Sequence, residues 1–227
     1  MKFLIRCILF FIPVLPSAQS VTDSVSVDNR YLEDQFYIGL TYNFLLNKPN
    51  AIGQQSLSYG LRGGFIKDIP LNNDRTVALG LGLGYGAYSY YSNIQATEVA
   101  DGINYSIVST DGFRRNKLET HMLEIPIEFR WRKSTATEYK FWRIYTGFTL
   151  GYAVGARSKL VTDTFKDSFN NTDVTKFQYG VTLNVGWNTF NLHAYYALNT
   201  LLQDNAQFNS QSIDMKPLRV GFIFYIL

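Results

Sequence analysis

The sequence predicts an all-β protein: an eight-stranded antiparallel transmembrane β-barrel, an up-and-down meander over residues 36–227. Three observations predict it. A secretory leader stands at the front. Apolar residues alternate with small or polar ones in eight segments of roughly ten residues, and the gaps between segments are alternately long and short.

Lys2 and Arg6 form a basic start, Cys7 to Val14 an apolar stretch, and Ser17 and Ala18 are the small residues before Gln19. That order predicts a signal peptide over residues 1–18. A membrane anchor is the competing reading, but about a dozen apolar residues fall short of the ~20 that a spanning helix needs. Residues 19–35, with Asp23, Asp28, Glu33 and Asp34, read as a short, poorly ordered periplasmic lead-in.

Cys7 is the single cysteine and leaves with the leader; Ile5 and Arg6 before it do not suit a lipoprotein signal. Disulfides and thiolate chemistry are therefore not expected in the mature chain. His121 and His193 are the two histidines, too few for a His-based metal cluster, and no cofactor is expected. Of 21 basic residues, Lys2 and Arg6 go with the leader, leaving 19 against 18 acidic ones, a net charge near +1. Nothing in that balance attracts nucleic acid. With 16 Tyr, 17 Phe, 3 Trp and 17 Gly, the composition suits strands with one face in lipid and the other crowded.

The first predicted strand, about Phe36 to Leu46, sets Phe36, Ile38, Leu40, Tyr42 and Phe44 against Tyr37, Gly39, Thr41 and Asn43. The second, Ser56 to Ile66, sets Leu57, Tyr59, Leu61 and Phe65 against Ser58, Gly60, Arg62 and Gly64. In the third, Val77, Leu79, Leu81, Leu83 and Tyr85 alternate with Ala78, Gly80, Gly82, Gly84 and Gly86. The fourth, Leu118 to Arg132, points Leu123, Ile125, Ile127, Phe129 and Trp131 outward. Met122, Glu124, Pro126, Glu128, Arg130 and Arg132 point inward. The fifth, Phe141 to Arg157, alternates from Trp142 and Arg143 onward, with Arg157 assigned inward. The sixth (Phe177 to Trp187), seventh (Phe190 to Asn199) and eighth (Leu218 to Ile226) repeat the pattern, with His193 and Arg219 inward.

A soluble sandwich also alternates, so the gaps help to decide. Lys67–Arg75, Lys133–Lys140 and Asn188–Thr189 are short; Asn47–Gln55, Ser92–Lys117, Ser158–Thr175 and Gln203–Asp214 are longer. Short periplasmic turns and long outer loops are the habit of outer-membrane barrels, which puts the N-terminus in the periplasm. Trp131, Trp142 and Trp187 then fall at the periplasmic rim, where an aromatic girdle belongs.

The inward charges are Arg62, Glu124, Glu128, Arg130, Arg132, Arg143, Arg157 and Arg219. Eight strands leave an interior just wide enough for side chains, so these should pair as a structural plug, with Arg130 facing Arg143 across the hairpin. A proton or ion path is the rival reading. The inward glycines leave room for long Arg and Tyr side chains, or for a small ligand. Catalysis would need a serine beside His121 or His193, and none is evident; an enzyme is not expected. Arg114, Arg115 and Lys117 form a basic cluster outside the fourth strand, either a solvated loop or a contact for lipopolysaccharide phosphates.

The run from Leu123 to Arg132 (LEIPIEFRWR) and that from Glu138 to Phe148 (EYKFWRIYTGF) resemble the PorT (SprT) proteins of Bacteroidota. The whole plan is similar to the wider PorT-like barrels and to the OmpX and OmpA meander. That resemblance implies an outer-membrane protein of the type IX secretion system, needed for cargo export and gliding motility, with other secretion-system membrane proteins as partners. It supplies no catalytic residues. A lumen of this size cannot pass a folded protein, which implies an accessory or assembly role. The alternatives are a structural or adhesive barrel acting through its loops and a lipid-modifying enzyme.

Overall fold

A computed structural model describes residues 34–54, 56–109, 112–133, 142–187 and 190–226. The expected leader over residues 1–18, residues 19–33 and the Glu138–Phe141 start of the second motif lie outside the described residues.

Eight antiparallel strands close in chain order. They are β1 (Gln35–Leu46), β2 (Tyr59–Pro70), β3 (Val77–Tyr91), β6 (Arg115–Arg132), β7 (Trp142–Val161), β9 (Phe177–Trp187), β10 (Phe190–Ala197) and β13 (Lys216–Ile226). The last strand pairs with the first, from Phe36↔Ile226 to Leu46↔Lys216. No edge is left open, as a structure in lipid requires. Three additions decorate the long-connection end: a hairpin of β4 (Ile94–Val99) and β5 (Gly102–Ile107), β8 (Lys166–Asn170) laid on β7, and the two-residue strands β11 (Gln207–Phe208) and β12 (Gln211–Ser212). Asn209 and Ser210 join the last pair with φ of 51° and 62°, the two left-handed positions of a type I′ turn.

Alternation places the apolar set on the outside. Phe36, Leu83, Phe148, Leu192 and Phe222 are each at least half exposed, which in water would be a continuous sticky surface and in lipid is the solvated one. Trp131, Trp142 and Trp187 stand outward at the short-connection rim, with Trp142 edge-on to Trp187 at 5.3 Å. Tyr59, Tyr85, Tyr152 and Tyr179 form the outward belt at the other end. On β9 the belts are eight residues apart, Tyr179 to Trp187, or about 20 Å after the ~40° tilt usual in such barrels. The membrane-spanning portions are the lengths between these belts.

The strands run longer than alternation suggested. β3, β6 and β7 continue past the tyrosine belt, so Arg115 and Lys117 belong to β6 rather than to a loop. The barrel also begins slightly earlier: Gln35 opens β1, and Asp34 accepts from the Lys67 ammonium and the Asp68 amide. Two inward assignments need correction. Arg130 faces Tyr145, and it is Arg132 that faces Arg143. Arg157 points outward. Between His121↔Gly155 and Met122↔Ala153 the register slips, leaving Val154 as an extra residue on β7. Such a bulge reverses the phase beyond it, so Ser158 and Leu160 are buried and Arg157 is exposed.

Candidate functional site

The lumen is filled by one connected chain of polar side chains. It starts near the short-connection rim at Asp68, which has no exposed side-chain surface. Its Oδ1 accepts from Arg132 Nη1 (2.8 Å) and Arg130 Nη1 (3.1 Å), and its Oδ2 from Arg132 Nη2 (2.7 Å). Arg132 also donates from Nε to the carbonyl of Arg75, a residue with a φ of 55°. Arg130 Nε donates to Glu128 Oε2 at 3.0 Å. Its guanidinium lies over the Tyr145 ring at 4.7 Å, and Arg143 lies over Tyr225 at 5.8 Å.

From Glu128 the chain continues inward. Asn184 Nδ2 donates to Glu128 Oε1, and Asn184 Oδ1 accepts from His193 Nδ1 at 2.6 Å. Arg62 Nη1 donates to the other His193 nitrogen at 3.0 Å. A guanidinium only donates, so Nε2 is the acceptor and the His193 proton sits on Nδ1. Arg62 Nη2 reaches Glu124 Oε2 at 3.0 Å, Glu124 Oε1 receives the Tyr88 hydroxyl, and Arg219 Nη1 lies 3.5 Å away. Arg219 is stacked on Tyr88 at 3.5 Å and donates from Nε to the Tyr90 hydroxyl. Carboxylates and guanidiniums thus alternate on either side of a neutral Asn184–His193 bridge, which is how charges are tolerated in a dry interior.

The inward glycines make the room. A Cβ on Gly80 would lie 2.6 Å from Arg130 Nε, and one on Gly84 would lie 2.1 Å from the Tyr37 hydroxyl. Any side chain there would displace the network.

At the long-connection end the connections fold inward as an apolar cap. Leu45, Ile52, Tyr105, Val174, Leu201, Leu202, Ile213 and Met215 are buried together over Tyr88 and Tyr90. Asp173 pins it, accepting from the Tyr105 hydroxyl and from Asn205 Nδ2. Burial pushes the Tyr105 phenol above its ordinary range. A cavity of about 20 Å³ remains beneath, room for about one water.

The structure therefore brings together Arg62, Glu124, Glu128, Arg130, Arg143 and Arg219 and leaves Arg157 out. Asp68 is the residue that sequence reading missed. It continues the inward parity of Ser58, Arg62 and Gly64, and the surplus of inward arginines over two glutamates called for another acid. The Arg114, Arg115 and Lys117 cluster is partly spent: Arg114 pairs with Asp163 and Lys117 with Glu119. His121 does not reach the lumen; its Nδ1 meets the Tyr85 hydroxyl on the outer wall. Among the described residues no three His, Cys, Asp or Glu side chains come together as a metal would require.

A family model described as "Outer membrane protein beta-barrel domain" matches residues 17–203. Among solved structures, Ail, the attachment invasion locus protein of Yersinia pestis, is 15% identical over 84% of this chain and 97% of its own, with a TM-score of 0.36. Two mutants of the Rhodopseudomonas blastica porin are each 10% identical, covering 86% of this chain and all of their own, both with TM-scores of 0.16. No curated protein matches the chain.

Proposed function

Because the chain belongs to the outer membrane protein β-barrel domain family, matched over residues 17–203, we propose that it serves as a non-conducting accessory or assembly component of a type IX secretion machine. The observation that carries this reading is the lumen: a connected chain of ion pairs and hydrogen bonds from Asp68 to Arg219, bridged by Asn184 and His193, beneath a packed apolar cap. A barrel filled in that way has its walls, rims and loops left as working surfaces. The long-connection end faces outward in this reading, and the N-terminus lies in the periplasm. The secretion assignment is supported by the resemblance of Leu123–Arg132 and Glu138–Phe148 to the PorT (SprT) proteins.

The role is non-enzymatic in this reading. His193 is held between Arg62 and Asn184, and His121 by Tyr85; neither is bonded to a serine hydroxyl, the pairing that acyl chemistry needs. Deleting the gene in its own bacterium is expected to leave secreted cargo inside the cell, with the wild-type copy restoring export. Unchanged secretion in the deletion strain would reject the assignment. Detergent-solubilised wild-type protein should also co-purify with larger membrane proteins of the same machine.

A further inference from the structure

Beyond the tyrosine belt the outer wall carries a charge pattern that the fold does not satisfy from within. Above the bulge at Val154, β3, β6, the end of β7 and β8 form a four-stranded sheet. Asn116, Ser158 and Leu160 are buried on its inner side. By alternation Arg115, Arg157 and Lys159 project from the outer side, whereas the Lys117 side chain is only 9% exposed, its ammonium held by Glu119 and lying over the Tyr91 ring at 6.0 Å. Lys166 pairs with Val161 and is exposed on that same side. Lys117 stands directly opposite Lys159, a like-charge pairing that is unfavourable by itself.

Among the described residues on this face only Glu119 opposes these cations, and it is bound to Lys117 at 2.6 Å. Partial loss of hydration, then the fields of Lys166, Lys117 and Arg115, hold the Lys159 ammonium below the usual lysine range, with Glu119 opposing them. Clustered cations with one shared counter-charge make a site for a polyanion.

We propose that Arg115, Arg157, Lys159 and Lys166 bind the phosphates of a phosphorylated glycolipid in the outer leaflet. The position favours a lipid over a soluble anion. Glu119 and Arg157 lie four residues above the Leu123–Tyr152 pair along β6, about 10 Å beyond the belt at ~3.3 Å per residue with tilt, the height of head groups. Beside Arg157, where β7 leaves β9 for β8, the wall opens into a cavity of about 530 Å³. Tyr152 and Val154 line it together with Asn170, Thr172, Lys176 and Gln203. Apolar and amide groups in one cleft suit the junction of acyl chain and sugar.

The site rests on the outward orientation proposed above, but its test reads lipid binding and not cargo export, so either can fail alone. The full-length mature protein in detergent is equilibrated with bis-phosphorylated lipid A, or with phosphate-free lipid A of the same acyl chains, and bound lipid is counted by native mass spectrometry. Retention of the phosphorylated lipid is expected to exceed that of the other at least tenfold. The double variant Arg157→Gln, Lys159→Gln should lower it about 25-fold, two cations at roughly fivefold each, and leave the phosphate-free lipid unaffected. Folding is checked by the gel shift of unboiled samples; if the double variant does not fold, Lys166→Gln is measured instead, with about a fivefold loss expected. Equal retention of the two lipids, or variants that bind as wild type, would overturn the proposal. Displacement of lipid A by an equal concentration of inorganic tripolyphosphate would overturn it in favour of a soluble polyanion.

Discussion

Replacing Asp68 by alanine is expected to destabilise the barrel by about 3–5 kcal/mol, the usual cost of removing one partner from a buried ion pair. Asp68 accepts three hydrogen bonds from two guanidiniums that are themselves fully buried. Without it, Arg132 keeps the Arg75 carbonyl and Arg130 keeps Glu128, but both guanidiniums lose the carboxylate that joins them. The stranded charge is the source of the loss, so Arg132→Met in the same chain should recover part of it, with a coupling on the order of 1–3 kcal/mol. Urea titration of vesicle-inserted protein, read by the unboiled gel shift, measures both. A midpoint unchanged by Asp68→Ala would contradict the buried clamp.

Glu124→Ala is expected to match that effect from the other half of the lumen. Glu124 is almost wholly buried and takes Arg62 at 3.0 Å, Arg219 at 3.5 Å and the Tyr88 hydroxyl. Its loss leaves two guanidiniums with aromatic faces and neutral partners, Arg219 on Tyr88 and Tyr90, Arg62 on His193. Cation–π contacts contribute about 1–2 kcal/mol when desolvated, less than the ion pairs they would replace, so a net loss of about 3 kcal/mol or more is expected. Glu124→Gln keeps the shape and one acceptor oxygen and should fall between alanine and wild type. Should glutamine prove as stable as wild type, shape rather than charge would be what Glu124 supplies.

Much of this architecture can be read from period-2 alternation, because a barrel in lipid with a polar interior enforces it on every strand. The inward parity of Arg62, Glu124, Glu128, Arg130, Arg143 and Arg219 comes directly from it. Arg157 breaks the rule, because the extra residue at Val154 reverses the parity of the rest of β7, and no composition signal marks it. Asp68 was hidden differently: the run Lys67-Asp68-Ile69-Pro70 has the charge and proline of a turn, yet β2 continues through it. The cap is built from isolated apolar residues in polar connections, such as Ile52, Val174 and Leu202. Their meeting depends on chain paths, and local patterning carries no trace of it.

Single-channel recording of the purified protein in a planar lipid bilayer addresses the sealed lumen most directly. The connected chain from Asp68 through Glu128, His193 and Glu124 to Arg219, closed by the cap, predicts a flat trace in concentrated potassium chloride at either polarity. Stable, voltage-independent conductance steps from correctly inserted protein would contradict the account. They would mean that water and ions thread a space which the ion pairs are described as filling.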